Sequence, residues 1–552
     1  MPFSIPRDYR LYSKLVLRRG NCNEDISIEN CINMRNLAEH RRETAKIDLE
    51  STHIRQNVCV ASLVIFCMIL LSVPICQFTT ELLGRKFPQF FQVGELVSNP
   101  HREAFEKFED TLEEESVLAN WVLPNVQSIF TGVFNIGNEQ AYVGKDGWLF
   151  YRADIDAVIG FKDNSTPNKY RDALNAIIDF KQQLEARNIT LIVVPIPVKP
   201  TIYPEQFSGR YEKAKTPLHN PSYRELIETL ASEEVMVYDP TSLLFDAKKQ
   251  STQYLKTDTH WKPEAMEWVA KDLALFINER IEFVNHPIPP YIKAQVEIEN
   301  LGDIGKMLML PENQTMVQPE EVTSHIIRDH SGKLWEPERD AEILFLGDSF
   351  SNIYSLVGMG WGESAGFVEH LSAELSRPID KIVINDGGAL ATRQTLVKQP
   401  ERLKSKRVLI YQFAAREFYS GDWKILPIPK AESIRTDKSE SSVEPKKDIT
   451  LTATIKGKTN PPIPGSVPYT ECIIAFHLEN IEVSNLPQEI VVFVWGMQKN
   501  KWTEATKYKV GQDIKLILKP WSSVETDVGS YNRIELDNEE TWLLDIYWGE
   551  IQ

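Results

Sequence analysis

The sequence predicts an α/β protein: a three-layer domain on a parallel sheet, preceded by one N-terminal transmembrane helix and followed by a C-terminal β-sandwich. Three observations carry this. From about Asn168, continuous β-branched runs alternate with stretches of helical periodicity, as a parallel sheet covered on both faces requires. Beyond a polar linker only short alternating strands follow, the pattern of a sandwich of about 100 residues. Finally, Val58–Cys76 runs for 19 residues without a charge, which matches a bilayer core at about 1.5 Å per residue.

At 552 residues the chain has room for roughly two to four domains, and 42% hydrophobic residues supply a sizeable core. Lys and Arg number 61 against 78 Asp and Glu, a net charge of −17. The basic residues are scattered after the first 60 positions, which excludes a nucleic-acid partner, because backbone phosphates demand clustered cations. Five of the six cysteines lie in the first 76 residues and only Cys472 lies beyond. The C-terminal part therefore has no disulfide framework, and no CxxC or Cys/His zinc spacing occurs. That usage suits a bacterial periplasm. Arg41, Arg42, Lys46 and Arg55 precede the apolar span, against Arg85 and Lys86 after it, so the N-terminus is expected inside and the rest outside the cytoplasm. The expected organisation is a cytoplasmic tail over 1–57, an anchor over 58–76, a helical stalk over 77–134, the α/β domain over 135–427, a linker over 428–447 and the sandwich over 448–552.

Within the α/β domain "AYVGKDGWLFYR" opens with a Lys-Asp-Gly turn between aromatic runs, a hairpin signal. "YRDALNAIIDFKQQLEARN" is helical, "ITLIVVPIP" a strand, "YRELIETLAS" a helix and "VMVYDP" a strand. "EAMEWVAKDLALFINERI" is an amphipathic helix with Met266, Val269, Leu273 and Ile277 on one face. The strands "EILFLGDSF", "KIVIND" and "RVLIYQF" complete the sheet, joined by right-handed crossovers. The linker "PIPKAESIRTDKSESSVEPKKD" is Pro-, Ser- and charge-rich.

Ligands of parallel sheets bind at the carboxyl edge of the strands, and "EILFLGDSF" ends there in Gly347, Asp348 and Ser349. A serine on a tight turn after a buried strand is placed to act as a nucleophile, with amides behind it facing a developing oxyanion. Such a hydroxyl needs a base, and the base an orienting carboxylate. "YLKTDTHWKP" offers Asp258 and His260 between a loop and a helix. Taken singly, Gly-Asp-Ser also reads as a plain turn and Asp-x-His as a structural or metal-binding pair. A metal site would need further ligands, which the scattered histidines do not supply, so neither metal nor cofactor is expected.

The motifs "TDTHW" and "GDSF", with "YVGKDGWLFY" before both and "VPIPVKPTIYPE" and "LGDIGKML" in the same order, resemble the SGNH-hydrolase-like acetyltransferases of the alginate O-acetyltransferase family (AlgX/AlgJ type) over roughly residues 135–425. The resemblance implies an SGNH-like α/β domain with Ser349 as nucleophile, His260 as base and Asp258 as its partner. It also implies acetyl transfer to hydroxyls of an exported polysaccharide, a multipass membrane partner that delivers the acetyl group, and a C-terminal carbohydrate-binding module. Esterase activity through the same residues, or a silent polysaccharide-binding scaffold, remain as alternatives. Arg393 and Arg416, each following a strand, are candidate contacts to an acidic sugar or the ester. Tyr354 is a candidate pocket wall, Trp261 is expected to pack beneath His260, and Trp502, Trp521 and Tyr531 are candidate sugar platforms.

Overall fold

The computed structural model describes residues 56–83, 116–160, 169–284, 287–429 and 448–552, apart from 465–466, 468, 482, 484–485, 537 and 542–543. Two compact units are present, Met1–Asn120 and Trp121–Gln552.

In the first unit Gln56–Leu83 is one helix of 28 residues that contains the expected span. Within Asn57–Leu83 an 18-residue window reaches a mean hydropathy of 2.8, and among the described residues this is the one helix long and apolar enough to cross a membrane. Such a helix fits a single-pass anchor. The tail before residue 56 and most of the expected stalk, 84–115, lie outside the described residues, as does the linker over 430–447.

The second unit opens with an antiparallel hairpin, β1 (Ala141–Val143) against β2 (Leu149–Tyr151). Its turn puts Asp146 and Gly147 in the left-handed region, at φ 52° and 78°, which is why Gly follows Asp there. The main sheet uses β3 (Thr190–Ile196) and β4 (Met236–Val237). Then, after a separate antiparallel pair, β5 (Ile292–Asn300) and β6 (Glu320–Arg328), it resumes with β7 (Ile343–Gly347), β8 (Asp380–Val383) and β9 (Val408–Ala414). The order is β4-β3-β9-β7-β8, and every neighbouring pair is parallel. Side chains alternate between two cores. Ile192, Val194 and Phe345 face one, with Met266, Val269, Leu273 and Ile277 of the helix Pro263–Asn278. Leu191, Val193 and Leu346 face the other, with Ala173, Ile177 and Phe180 of the helix Lys169–Glu185. This is the three-layer arrangement the sequence predicts. The β5–β6 pair was not expected: β5 alternates exposed and half-buried residues, and β6 mixes polar residues with the buried Val322, Ser324 and Ile327, so neither strand has the continuous apolar run that marks the main sheet.

The C-terminal strands are β10 (Ile449–Lys458), β11 (Cys472–Glu479), β12 (Ile490–Gln498), the short β13 (Lys501–Trp502), β14 (Asp513–Pro520), the short β15 (Arg533–Ile534) and β16 (Ile546–Ile551). The expected sandwich takes the form of a closed barrel. The order β12-β16-β14-β10-β11 closes on itself because β11 also pairs with β12. Alternation along each strand is the same in a barrel and a sandwich; only this closing pair separates them.

Candidate active site

β7 is buried at all five positions, and at its end the chain turns sharply. A Cβ on Gly347 would meet the Phe345 ring at 2.7 Å and Gln412 Oε1 at 2.8 Å, so the turn accepts only glycine without rearrangement. Asp348 is structural. Its carboxylate accepts the Phe350 N–H at 3.0 Å, capping the one-turn helix Ser349–Asn352, and also accepts Gln412 Nε2–H and the Ala414 N–H, both at 2.7 Å. The end of β7 is thereby fixed to β9. Ser349, 8% exposed, stands on the first turn of that helix, and among the described residues no hydrogen bond uses its N–H.

The loop before the helix Pro263–Asn278 brings Asp258 and His260 to this serine. His260 Nε2 lies 2.9 Å from Ser349 Oγ, and His260 Nδ1 lies 2.6 Å from Asp258 Oδ1. The carboxylate can only accept, which assigns the proton to Nδ1 and leaves Nε2 to accept from the serine. Asp258 Oδ2 accepts Trp361 Nε1–H at 2.9 Å and the Asp303 N–H at 3.0 Å. Glu320 accepts the N–H groups of Lys256 and Thr257, and Asp303 Oδ1 accepts that of Thr259 at 2.7 Å. A Cβ on Gly302 would come within 2.4 Å of the Thr257 carbonyl. That close approach lets the Asp303 segment reach Asp258. Trp261 packs under the site: its Nε1–H donates to the Phe350 carbonyl at 3.1 Å, and Tyr354 Oη–H donates to the Trp261 carbonyl at 2.7 Å. Both rings are fully buried, so Tyr354 fixes the loop from behind.

The electrostatics follow from this packing. Burial alone lowers the His260 pKa, but the hydrogen bond and charge of Asp258, with Asp303 behind them, carry it above its ordinary value. Burial opposes ionisation of Asp258, yet its bonds to His260, Asp303 N–H and Trp361 hold it well below the usual carboxylate range. Asp303 Oδ2 lies 3.8 Å from His260 Nδ1; burial and the charge of Asp258 push its carboxyl up to about 6. Ligand atoms of Asp258, His260 and Asp303 lie within 4.8 Å of one another. A cation there would have to displace the bonds that join Asp258 to His260 and Trp361.

The two arginines take other places. Arg416, after β9, is buried, bonded to Asp154 Oδ1 at 3.1 Å and set 5.6 Å from the centre of the Tyr151 ring. Arg393 gives its guanidinium to the carbonyls of Ala389 (3.0 and 2.7 Å) and Lys424 (2.9 Å), beside Trp423. Its donors are committed to backbone, not aimed at the serine. Among the three ring candidates, Trp521 is buried against Phe493 and Arg533, whereas Trp502 is 38% exposed and Tyr531 lies against Gly358. Sequence reasoning missed Trp361 and Asp303 as partners of Asp258. It also missed Lys199, whose buried ammonium binds the carbonyls of Leu149 at 2.7 Å and Lys256 at 3.2 Å and which burial pushes down to about 8. Asp303 and Lys199 sit in two stretches already singled out, "LGDIGKML" and "VPIPVKPTIYPE"; Trp361 has no local signal, because its role exists only in three dimensions.

A parallel sheet with a serine at the end of an inner strand, met by an Asp–His pair from another loop, defines an SGNH hydrolase-like domain. Residues 141–415 match the family described as SGNH hydrolase-like domain, acetyltransferase AlgX, and this part of the chain belongs to those acetyltransferases, of the AlgX and AlgJ type. The probable alginate O-acetylase AlgJ of Pseudomonas fluorescens is 23% identical over 292 residues, 51% of this chain and 70% of that protein. Its namesake in Pseudomonas aeruginosa is 25% identical over 252 residues, 44% of this chain and 62% of the relative, less than two thirds of its length. Of solved structures, the O-acetyltransferase domain of Pseudomonas putida AlgJ aligns with 50% of this chain and 91% of its own, at 20% identity and a TM-score of 0.41. Pseudomonas aeruginosa AlgX aligns with 62% and 72%, at 18% identity and a TM-score of 0.39.

Proposed function

We propose that the protein is a membrane-anchored O-acetyltransferase that moves acetyl groups onto hydroxyls of an exported polysaccharide through an acetyl-serine at Ser349. The observation that carries this is the unbroken relay Asp258–His260–Ser349, at 2.6 and 2.9 Å, inside an acetyltransferase-family domain. In the first half-reaction Ser349 Oγ attacks the acetyl carbonyl while His260 Nε2 takes its proton. Asp258 stabilises the imidazolium, and the Ser349 N–H is available to the oxyanion. Collapse breaks the bond to the leaving group, which receives the proton from His260. In the second half-reaction a sugar hydroxyl gives its proton to His260 and attacks the acetyl-serine; collapse returns the proton to Ser349 Oγ.

The relatives are named for alginate, a polyuronate, which makes it the reference acceptor. A multipass membrane protein supplying acetyl groups, and a catalytic part facing the periplasm, complete the proposal. The helix Gln56–Leu83 supports the anchor. Intact-mass analysis after exposure to an aryl acetate tests the core of it. The expected result is a single acetyl on Ser349, absent from Ser349→Ala, that leaves with added oligosaccharide as an acetylated sugar. Free acetate formed at the same rate with or without sugar would instead make the protein an esterase. No acyl-enzyme, with polysaccharide still bound, would make it a scaffold.

A further inference from the structure

The helix Val117–Phe134 turns its apolar side outward. Leu123, Val126, Ile129, Phe130, Val133 and Phe134 recur at helical spacing and form one stripe, and each is between 38% and 69% exposed. Gln127 and Thr131 lie on the other side, where Thr131 is buried. There Gln127 Nε2–H donates to Thr131 Oγ1 at 2.9 Å, and the Thr131 hydroxyl donates to the Ile136 carbonyl at 3.2 Å. Single exposed apolar residues are ordinary on a protein surface, whereas a contiguous stripe of this kind marks a surface made to be covered.

Two observations identify the cover. The first is charge. No charged residue stands between Ser116 and Asn138, although the preceding segment 84–115 holds eight Asp and Glu and four Lys and Arg. The second is position. The Val117 N–H donates to Gln77 Oε1 at 3.0 Å, and Gln77 directly follows the uncharged span Val58–Cys76. The helix therefore begins beside the point where the span leaves the bilayer, capped there by Ser116, whose Oγ accepts the Ala119 N–H at 3.2 Å. An amphipathic helix of this kind suits the membrane interface, its apolar side sunk about 5–10 Å into the headgroup and acyl boundary. Trp121, one turn in and 69% exposed, is the residue type enriched at that level.

We propose that Val117–Phe134 lies along the bilayer surface with this stripe among the lipid acyl chains, so that the chain meets the membrane twice, once across it and once along it. The occupant is lipid, held by apolar burial and not by charge. The inference rests on the anchor in the reading above and on none of its chemistry.

Full-length Phe130→Trp protein and, off the stripe on the exposed Asn125, full-length Asn125→Trp protein test it in phosphatidylcholine vesicles brominated near the headgroup end of the acyl chains. Relative to unbrominated lipid, the emission added by Phe130→Trp should fall by roughly half or more, and that added by Asn125→Trp by much less, as burial to this depth requires. The quenching should be the same at low and high salt. Native melting temperature and native acetyl-Ser349 formation from an aryl acetate show that both variants fold. Unquenched Phe130→Trp emission in protein that stays with the vesicles overturns the inference alone, whether a second copy or the segment 84–115 covers the stripe. Equal quenching at both positions, or quenching lost at high salt, overturns it as well. Protein recovered apart from the vesicles overturns the anchor and this inference together.

Discussion

The parallel-sheet domain and the C-terminal barrel use the same material, runs of β-branched and aromatic residues, and bury it to different ends. Barrel strand β11 is buried at every position from Cys472 to Leu478, and the interior is almost wholly apolar: Ile455, Ile474, Phe476, Val492, Leu516 and Leu518 meet there. The sheet domain also has two apolar cores, but along its carboxyl edge it buries Asp154, Asp258, His260, Asp348, Ser349 and Arg416, each under 10% exposed. Burying polar groups costs free energy unless every one finds a partner, and here the relay's groups are held, while Asp154 Oδ2 and Thr259 Oγ1 have no hydrogen-bond partner among the described residues. Asp258 alone is held by His260, Trp361 and Asp303. The barrel gains stability from its interior; the sheet edge gives up some of it for a fixed polar geometry.

That contrast breaks most easily at the serine. Ser349→Ala should lower acetyl transfer by roughly ten-thousandfold or more, while thermal melting stays at the native value, because only a hydroxyl is lost. Near-native transfer by a folded Ser349→Ala protein would place the chemistry elsewhere. Asp258→Asn should be almost as severe in kcat, about ten-thousandfold, because it disturbs the tautomer that leaves Nε2 free to accept. The pH profile gives a second readout. The base works as neutral imidazole, so kcat/KM should rise with pH through the His260 pKa, with a midpoint above the ordinary 6.5 because Asp258 and Asp303 favour the protonated ring. In Asp258→Asn that support falls and the acidic limb should move to lower pH; a limb that stays put would assign it to another group.

The barrel answers a different test. Phe476 is fully buried, and Phe476→Ala should destabilise by about 3–5 kcal/mol. Acetyl-serine formation per folded molecule, measured by intact mass, should be unchanged. A loss of acylation in molecules that remain folded would mean that the two regions are energetically one.

Much of this contrast was legible in the sequence. The strands Thr190–Ile196, Ile343–Gly347 and Val408–Ala414 announce themselves as largely apolar runs, and the helix Pro263–Asn278 by its period. Asp258, His260 and Ser349 were visible because two short motifs stand at strand or helix boundaries, 89 residues apart between His260 and Ser349. The barrel's closure was not legible, since it depends on one long-range pairing of β11 with β12. Nor was the environment of the arginines, because a cation after a strand looks the same in sequence whether it faces a ligand or a carbonyl.

Arg393 tests that last point. Its bonds to the Ala389 and Lys424 carbonyls should make Arg393→Gln a stability variant, lowering unfolding free energy by about 1–3 kcal/mol as buried acceptors lose their donor. KM for the oligosaccharide should stay constant. A raised KM with native melting would return Arg393 to the substrate.

The smallest effect is expected at Trp361, and it separates geometry from mere burial. The ring is fully buried, and its Nε1–H is one of two donors to Asp258 Oδ2, the other being the Asp303 N–H at 3.0 Å. Trp361→Phe keeps an aromatic group in the space and removes one hydrogen bond, leaving Asp303 to aim the carboxylate. If orientation of Asp258 matters to the relay, kcat should fall by roughly tenfold, the scale of losing an outer hydrogen bond that orients a catalytic group, and KM should not move. A change in melting temperature with kcat untouched would reduce Trp361 to packing. It would leave Asp303 and its close neighbour Gly302, whose missing Cβ lets that segment approach, as the support on that side of Asp258.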